Sequence, residues 1–190
     1  YFAFPPSNNQ FTANNYSKYS SFLAKSNIGL DEAISPDNTV VSERRAILEG
    51  ITKQVNKLIT DAKIHLPSPV EMEISHHYGL DNFYKFGMVI FTLINRTYCK
   101  KLLISLPGQV HPAQYHKKKE ESFRLVYGDL TLTIDDKESS MKLGEIITIE
   151  KRMVHKFKSL KGSIVEEISD THNTNDSFYI DDKITQNKNR

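Results

Sequence analysis

The chain has 190 residues and a formal net charge of +2. Because no concentrated basic face is evident, nucleic acid is not expected as its main partner. The composition, with 25% charged and 38% hydrophobic residues, is typical of a globular domain. The only tight interior basic run, Lys117 to Lys119, is interpreted as a solvated loop.

Cys99 is the only cysteine, so an intrachain disulfide is excluded and a reducing, cytoplasmic compartment is expected. No window approaches 18 apolar residues, so no transmembrane helix and no membrane partner are expected. The first residue is Tyr1 rather than a methionine, and no signal pattern follows it. We interpret this start as a cut point inside a longer protein.

Residues 1–40 are rich in Asn, Ser and Pro with scattered aromatic residues, which indicates a loop-rich lead that packs on the same chain or on another domain. Residues 42–63 have the apolar spacing of an amphipathic helix. Pro67 and Pro69 end this helical region. Residues 1–69 are therefore predicted to form an N-terminal linker and helical extension.

From residue 70 the hydrophobic period changes to two, which is typical of strands. Short strands separated by turn residues predict an all-β sandwich or barrel over residues 70–183, followed by a polar tail at 184–190. The predicted strands are 70–75, 88–94, 98–106, 123–127, 130–134, 141–143, 146–150, 155–160 and 163–168.

The segment from Gly108 to Gly128 has the spacing of a known motif. Its residues resemble the first motif of the cupin superfamily, G-x5-H-x-H-x3,4-E-x6-G, with His116 and Glu121 in place and Gln114 at the first histidine.

The segment from Gly144 to Ser159 resembles the second cupin motif, G-x5-P-x-G-x2-H-x3-N. Gly144 and His155 match, whereas Glu150, Arg152 and Ser159 replace Pro, Gly and Asn. The resemblance implies a mainly β fold, a cupin-type double-stranded β-helix (jelly-roll barrel) with an N-terminal helical extension.

These residues predict a metal site. Gln114 and His116 are two apart in a strand and share one face, while Glu121 and His155 come from two further strands. Nitrogen and oxygen ligands of this kind suit a divalent transition metal: Zn, Mn, Ni, Fe or Co. Gln114 is either a fourth ligand or a hydrogen-bonding wall residue, and the missing imidazole predicts weaker metal binding.

Other titratable residues are weighed beside this set. His111 is a substitute ligand only if Pro112 produces a bulge, since its odd offset otherwise turns it to the opposite strand face. His76 and His77 are interpreted as surface or turn residues. Glu166 and Glu167 are adjacent on a late strand, so one must face inward, where a carboxylate is costly unless paired or functional. Both are therefore candidate catalytic acid or base residues.

A narrower resemblance covers nearly the whole chain. Residues 73–79, 94–102, 106–109, 116–121 and 166–172 are similar to the C-terminal cupin region of bacterial N-acetylneuraminate (sialic acid) synthase-like proteins. This resemblance implies an adjoining synthase domain and a small-molecule sugar or sugar acid as ligand. It also implies that synthase chemistry itself lies outside this chain. Because many cupins pair through sheet edges and N-terminal segments, a homodimer is expected.

Three functions remain open from the sequence. The ligand set also resembles that of D-lyxose isomerase-type sugar isomerases, which implies a metal-dependent isomerase or epimerase with Glu166 or Glu167 as base and Lys101 or Lys117 as its partner. The second is a non-catalytic sugar- or metabolite-binding and dimerisation module. The third is an iron-dependent small-molecule dioxygenase.

Overall fold

Two antiparallel β-sheets form the body of the chain in the computed structural model, which describes residues 2–3 and 38–186. The strands are β1 (Phe2–Ala3), β2 (Glu71–His76), β3 (Gly87–Asn95), β4 (Tyr98–Ser105), β5 (Val110–Tyr115), β6 (Glu121–Gly128), β7 (Leu130–Ile134), β8 (Lys137–Met141), β9 (Ile146–Ile149), β10 (His155–Lys158), β11 (Ser163–Asp170) and β12 (Phe178–Tyr179). The helices are α1 (Asn38–Asp61), α2 (Phe83–Phe86) and α3 (Asp182–Gln186).

The first sheet has the strand order β1-β2-β3-β4-β11-β6-β9, and the second has the order β12-β5-β10-β7-β8. Apolar residues of both sheets, such as Phe123 of β6 and Phe157 of β10, pack in one core between them. This arrangement confirms the mainly β jelly-roll fold and the N-terminal helix predicted from the sequence.

Helix α1 covers the outer face of the first sheet. Its apolar residues Leu48, Ile51, Val55 and Leu58 are buried against that sheet in the same chain. Each such side chain stabilises the fold by roughly 1.5–3 kcal/mol. The helix begins four residues before its predicted start and ends two residues before its predicted end. Among the described residues, no helix is both long and apolar enough to cross a membrane.

The inner face of the first sheet changes from apolar to polar along its length. On β4, Leu103 points into the core between the sheets, and Lys101, two residues earlier, lines a cavity on the same face. On β11, Val165 likewise lies in the core, and Glu167, two residues later, lines the cavity. Alternate residues of a strand share a face, so these strands place charged groups next to the apolar core.

The C-terminal segment closes over the barrel. The Tyr78 hydroxyl donates to Asp181 Oδ2 at 2.7 Å, and the Ile180 amide donates to the Ala113 carbonyl at 3.0 Å. Ile184, in the stretch predicted to be a polar tail, is fully buried in α3. Residues 187–190 and the aromatic lead, apart from Phe2 and Ala3, lie outside the described residues.

Two motif positions show why the motifs favour glycine. Gly128 has a φ of 79°, and a Cβ there would lie 1.9 Å from the Gly162 carbonyl oxygen. Arg152 stands where the second motif has glycine and adopts a φ of 71°. This left-handed conformation is one that glycine adopts without steric cost. The turn before β10 therefore keeps the geometry of the motif despite its different residue.

Candidate metal centre

His116, Glu121 and His155 lie together in a buried cavity between the two sheets. His116 follows β5, Glu121 begins β6 and His155 begins β10, and one ligand atom from each lies within 4.8 Å of the others. The His116 Nε2 atom is 3.4 Å from Glu121 Oε1, and His155 Nε2 is 3.3 Å from Glu121 Oε2. The structure thus brings together the three residues that the motifs predict as ligands.

Backbone carbonyl groups orient both imidazole rings. His116 Nδ1 is 2.7 Å from the Asp176 carbonyl oxygen, and His155 Nδ1 is 3.2 Å from the Met153 carbonyl oxygen. A carbonyl oxygen only accepts, so each Nδ1 carries a proton, and the neutral form of each ring has its lone pair on Nε2. Both lone pairs are then available to a metal ion, an arrangement found for most metal-binding histidines.

The unpartnered polar atoms of the cluster test whether a metal fits. Gln114 Oε1, His116 Nε2 and Glu121 Oε2 are buried and have no hydrogen-bond partner among the described residues. Leaving such an acceptor unsatisfied costs about 1–3 kcal/mol. A cation between them would satisfy all three, and their nitrogen and oxygen chemistry suits a divalent transition metal. The residues present therefore fit the predicted metal.

Gln114 lies beside this group on β5. Its Nε2 atom is 3.4 Å from His155 Nε2, and its Oε1 is one of the unpartnered atoms. The oxygen and nitrogen of a side-chain amide exchange places when the group is turned by half a rotation, so either atom of Gln114 can face the cluster. The position of Gln114 is compatible with a fourth ligand, and that role stays a prediction.

Lys119 is buried in the cavity, with 5% of its surface exposed. Its Nζ atom contacts Glu121 Oε1 and lies 3.1 Å from Glu167 Oε1. The interpretation of Lys117 to Lys119 as a solvated loop is thus wrong for Lys119. The sequence did offer a signal for this position. Lys119 is two residues before Glu121, and residues two apart in an extended chain point to the same side.

The charges of Lys119 and Glu121 support each other. Burial alone would raise the pKa of Glu121, but the charge of Lys119 holds it well below its usual value. Burial alone would lower the pKa of Lys119, but Glu167 and Glu121 raise it above its usual value. Both groups are therefore charged at neutral pH.

The two candidate acid or base residues lie on opposite faces of β11. Glu167 is 3% exposed, lines the cavity and accepts a hydrogen bond from Ser169 Oγ at 2.9 Å. Glu166 points to the outer face, where Lys100 Nζ lies at 2.6 Å and lowers its pKa. Glu166 therefore cannot reach the cavity, and only Glu167 is retained as a candidate.

Two further histidines line the cavity. His111 faces inward because the pairing of β5 with β10 shifts register between His155 and Phe157, which is the bulge that the sequence required. Its ring stacks on Phe157 with centroids 4.6 Å apart, and burial lowers its pKa well below the usual value. His77 lies in the turn after β2, one of its two predicted settings, but it is buried rather than at the surface, with Nε2 3.0 Å from the Tyr179 hydroxyl.

Asp176, a residue that the sequence did not single out, holds the loop that carries His116 and Lys119. Its carboxylate accepts hydrogen bonds from the backbone amides of Lys117, Lys118 and Lys119 at 3.0–3.3 Å. Its own carbonyl oxygen accepts the His116 Nδ1 proton. One buried residue thus sets the position of two cavity side chains.

Replacing Asp176 with asparagine is expected to lower metal affinity about 10-fold, since loss of a supporting partner of a ligand typically costs 10–100-fold. Competition with a chelator would measure this. The matched control is Asp170→Asn, because Asp170 also accepts from this loop, at the Glu120 amide, but is exposed. Equal affinities in the two variants would contradict the role of Asp176.

The cavity has a volume of about 200 Å³. Lys101 lines it, whereas Lys117 lies outside, 4.2 Å from the centre of the Phe178 ring. Its lining residues are Glu73, Ser75, His77, Met88, Ile90, Lys101, Leu103, His111, Gln114, His116, Lys119, Glu121, Phe123, Phe157, Glu167, His172, Ser177 and Tyr179.

Comparison with known proteins agrees with this architecture. Residues 102–166, about a third of the chain, match the family model described as Cupin domain. No curated protein matches the sequence.

Solved structures of similar fold include the L-ribose isomerase of Cellulomonas parahominis with L-ribose. It is 14% identical with a TM-score of 0.60, and the match covers 75% of this chain and 94% of that one. The L-ribose isomerase of Acinetobacter sp. in complex with L-ribose is 13% identical with a TM-score of 0.61, and the match also covers 75% and 94%. At these identities the likeness establishes the fold.

Proposed function

We propose that the cupin domain binds a divalent transition metal (Zn, Mn, Ni, Fe or Co) through His116, Glu121 and His155 and catalyses proton transfer on a sugar, as an isomerase or epimerase. The observation that carries the proposal is the buried cluster of unpartnered acceptor atoms beside Glu167. The fold shared with two L-ribose isomerases supports it.

Each cavity residue has a separate role in the proposed reaction. A bound divalent ion would polarise a carbonyl or hydroxyl oxygen of the sugar. The Glu167 carboxylate takes the proton from the carbon beside the carbonyl and returns it to the former carbonyl carbon, while the hydroxyl proton of the first carbon passes to the former carbonyl oxygen. Lys119 donates to Glu167 at 3.1 Å and keeps this carboxylate oriented. The surrounding apolar wall, which includes Phe123 and Phe157, limits access of water.

Replacing Glu167 with glutamine is expected to reduce proton transfer by at least about 100-fold, the lower range for general acid–base catalysis, with metal content unchanged. The measurement is deuterium incorporation from D₂O into a panel of aldoses and uronic acids, followed by NMR. The control is Glu166→Gln on the outer face of the same strand, which should exchange at the parent rate.

Two results would contradict the proposed isomerase or epimerase function. One is a parent protein that takes up no Mn, Ni or Zn by elemental analysis after incubation. The other is exchange that Glu166→Gln reduces as strongly as Glu167→Gln does.

A second function is favoured by two observations, the amide of Gln114 where the motif has an imidazole and the contact between Lys119 and Glu121. Both features lower the expected affinity of the site for a metal, and they fit a non-catalytic module that binds a sugar or metabolite. The placement of such a module beside a sialic acid synthase domain, as a homodimer, rests on the sequence resemblance alone. A protein with partial metal content and no exchange activity would favour this alternative.

A further inference from the structure

Lys101 brings a second ammonium group into the cavity from the middle of β4. The residue is 4% exposed and lines the cavity. Its Nζ atom lies 4.0 Å from Glu167 Oε1 and donates no hydrogen bond to any residue in the part of the chain that the structure describes. An ammonium group carries three donors, and burial without an acceptor is costly. Its donors are thus available to a molecule in the cavity.

Lys119 differs from Lys101 in this respect. Its ammonium contacts both Glu121 and Glu167, so two carboxylates already neutralise it. The chain of contacts from Lys101 through Glu167 and Lys119 to Glu121 also links the free donors to the metal ligands. A single small ligand can therefore contact both the Lys101 ammonium group and the candidate metal ligands.

The charge balance of the cavity wall indicates what this ligand carries. By formal charge, the wall has three carboxylates (Glu73, Glu121 and Glu167) and two ammonium groups (Lys101 and Lys119), which leaves one excess negative charge. A divalent cation would turn this into one excess positive charge. His172 adds none at neutral pH, because burial together with the charges of Lys101 and Lys119 lowers its pKa to about 4. A monoanionic ligand would restore neutrality in a site where an uncompensated charge is costly.

We propose that Lys101 binds the carboxylate of an acidic monosaccharide, so that the substrate or ligand of this cavity is a sugar acid rather than a neutral sugar. The inference rests on the proposed metal site, which supplies the balancing charge. The cavity of about 200 Å³ is smaller than the roughly 300–1,000 Å³ of sites for drug-sized ligands, and this suits a single monosaccharide.

Calorimetric titration of the zinc-loaded protein with D-glucuronate and with D-glucose tests the proposal, because the two sugars differ only in the carboxylate. The parent protein should bind D-glucuronate at least about 10-fold more tightly, as one charge-assisted hydrogen bond allows. Lys101→Met should lose this preference, and Lys101→Arg should retain it. The control is Lys100→Met, which changes the next residue on the outer face and should leave the preference intact.

Metal content and melting temperature are measured for each variant before and after titration, so that loss of fold or of metal is recognised. Equal affinity for the two sugars in a loaded parent protein would overturn the role of Lys101 and leave the metal site standing. A parent that takes up no zinc would overturn the proposed function. In that case, a D-glucuronate preference that Lys101→Met removes would still support this inference, and its absence would overturn it as well.

Discussion

Replacing Glu121 with glutamine is expected to lower metal affinity by more than about 100-fold, which exceeds the 10–100-fold typical for loss of a supporting residue. Glu121 is the central member of the cluster, because one carboxylate oxygen faces His116 and the other faces His155. The amide has the same shape but carries no charge. Equilibrium dialysis with zinc or manganese, followed by elemental analysis, would measure the loss.

The same substitution separates metal binding from packing. In the metal-free protein Lys119 would keep its contact with Glu167, so the free energy of unfolding should fall by only about 1–3 kcal/mol, the usual cost of one weakened buried polar contact. Chemical denaturation in the presence of a chelator measures this. The control is Glu166→Gln, which also removes one carboxylate of an ion pair but at the outer face. Equal metal affinity in both variants would contradict the assigned site.

The grouping of the three candidate ligand residues could be predicted because it depends on local spacing. The positions of His116, Glu121 and His155 in two motifs, together with the period of two, were sufficient to place them on neighbouring strands around one cavity. The alternation also showed that only one of Glu166 and Glu167 could face inward. It did not show which one, because β11 is apolar on both faces where α1 covers the outer side.

The supporting residues could not be predicted, because they depend on contacts between distant segments. Asp176 reaches a loop almost 60 residues earlier in the chain, and it turns Lys119 from an expected surface residue into a buried one. His77 is buried because Tyr179, about 100 residues later, closes over it. Neither relation has a periodic signal. The sequence predicted an inward His111 only if Pro112 produced a bulge in the strand, and the register shift between β5 and β10 could be seen only in the structure.

Replacing Gln114 with histidine is expected to raise metal affinity by about 10–100-fold, comparable with the effect of one supporting or coordinating group. Gln114 is the register partner of His155 across β5 and β10, and its amide lies 3.4 Å from the His155 ring. An imidazole at this position would add a neutral nitrogen ligand on the same face as His116. Chelator competition with zinc would measure the gain.

The control for this variant is Tyr115→His, which adds a histidine one residue further along the strand, where Tyr115 stacks on Phe178 instead of facing the ligands. It should give no gain in affinity. A parent protein with little metal and a Gln114→His variant with stoichiometric metal would favour the non-catalytic module, because the natural amide would then hold affinity low. Equal and complete loading of both proteins would favour the enzyme, since three ligands and an amide would then be sufficient for a working site.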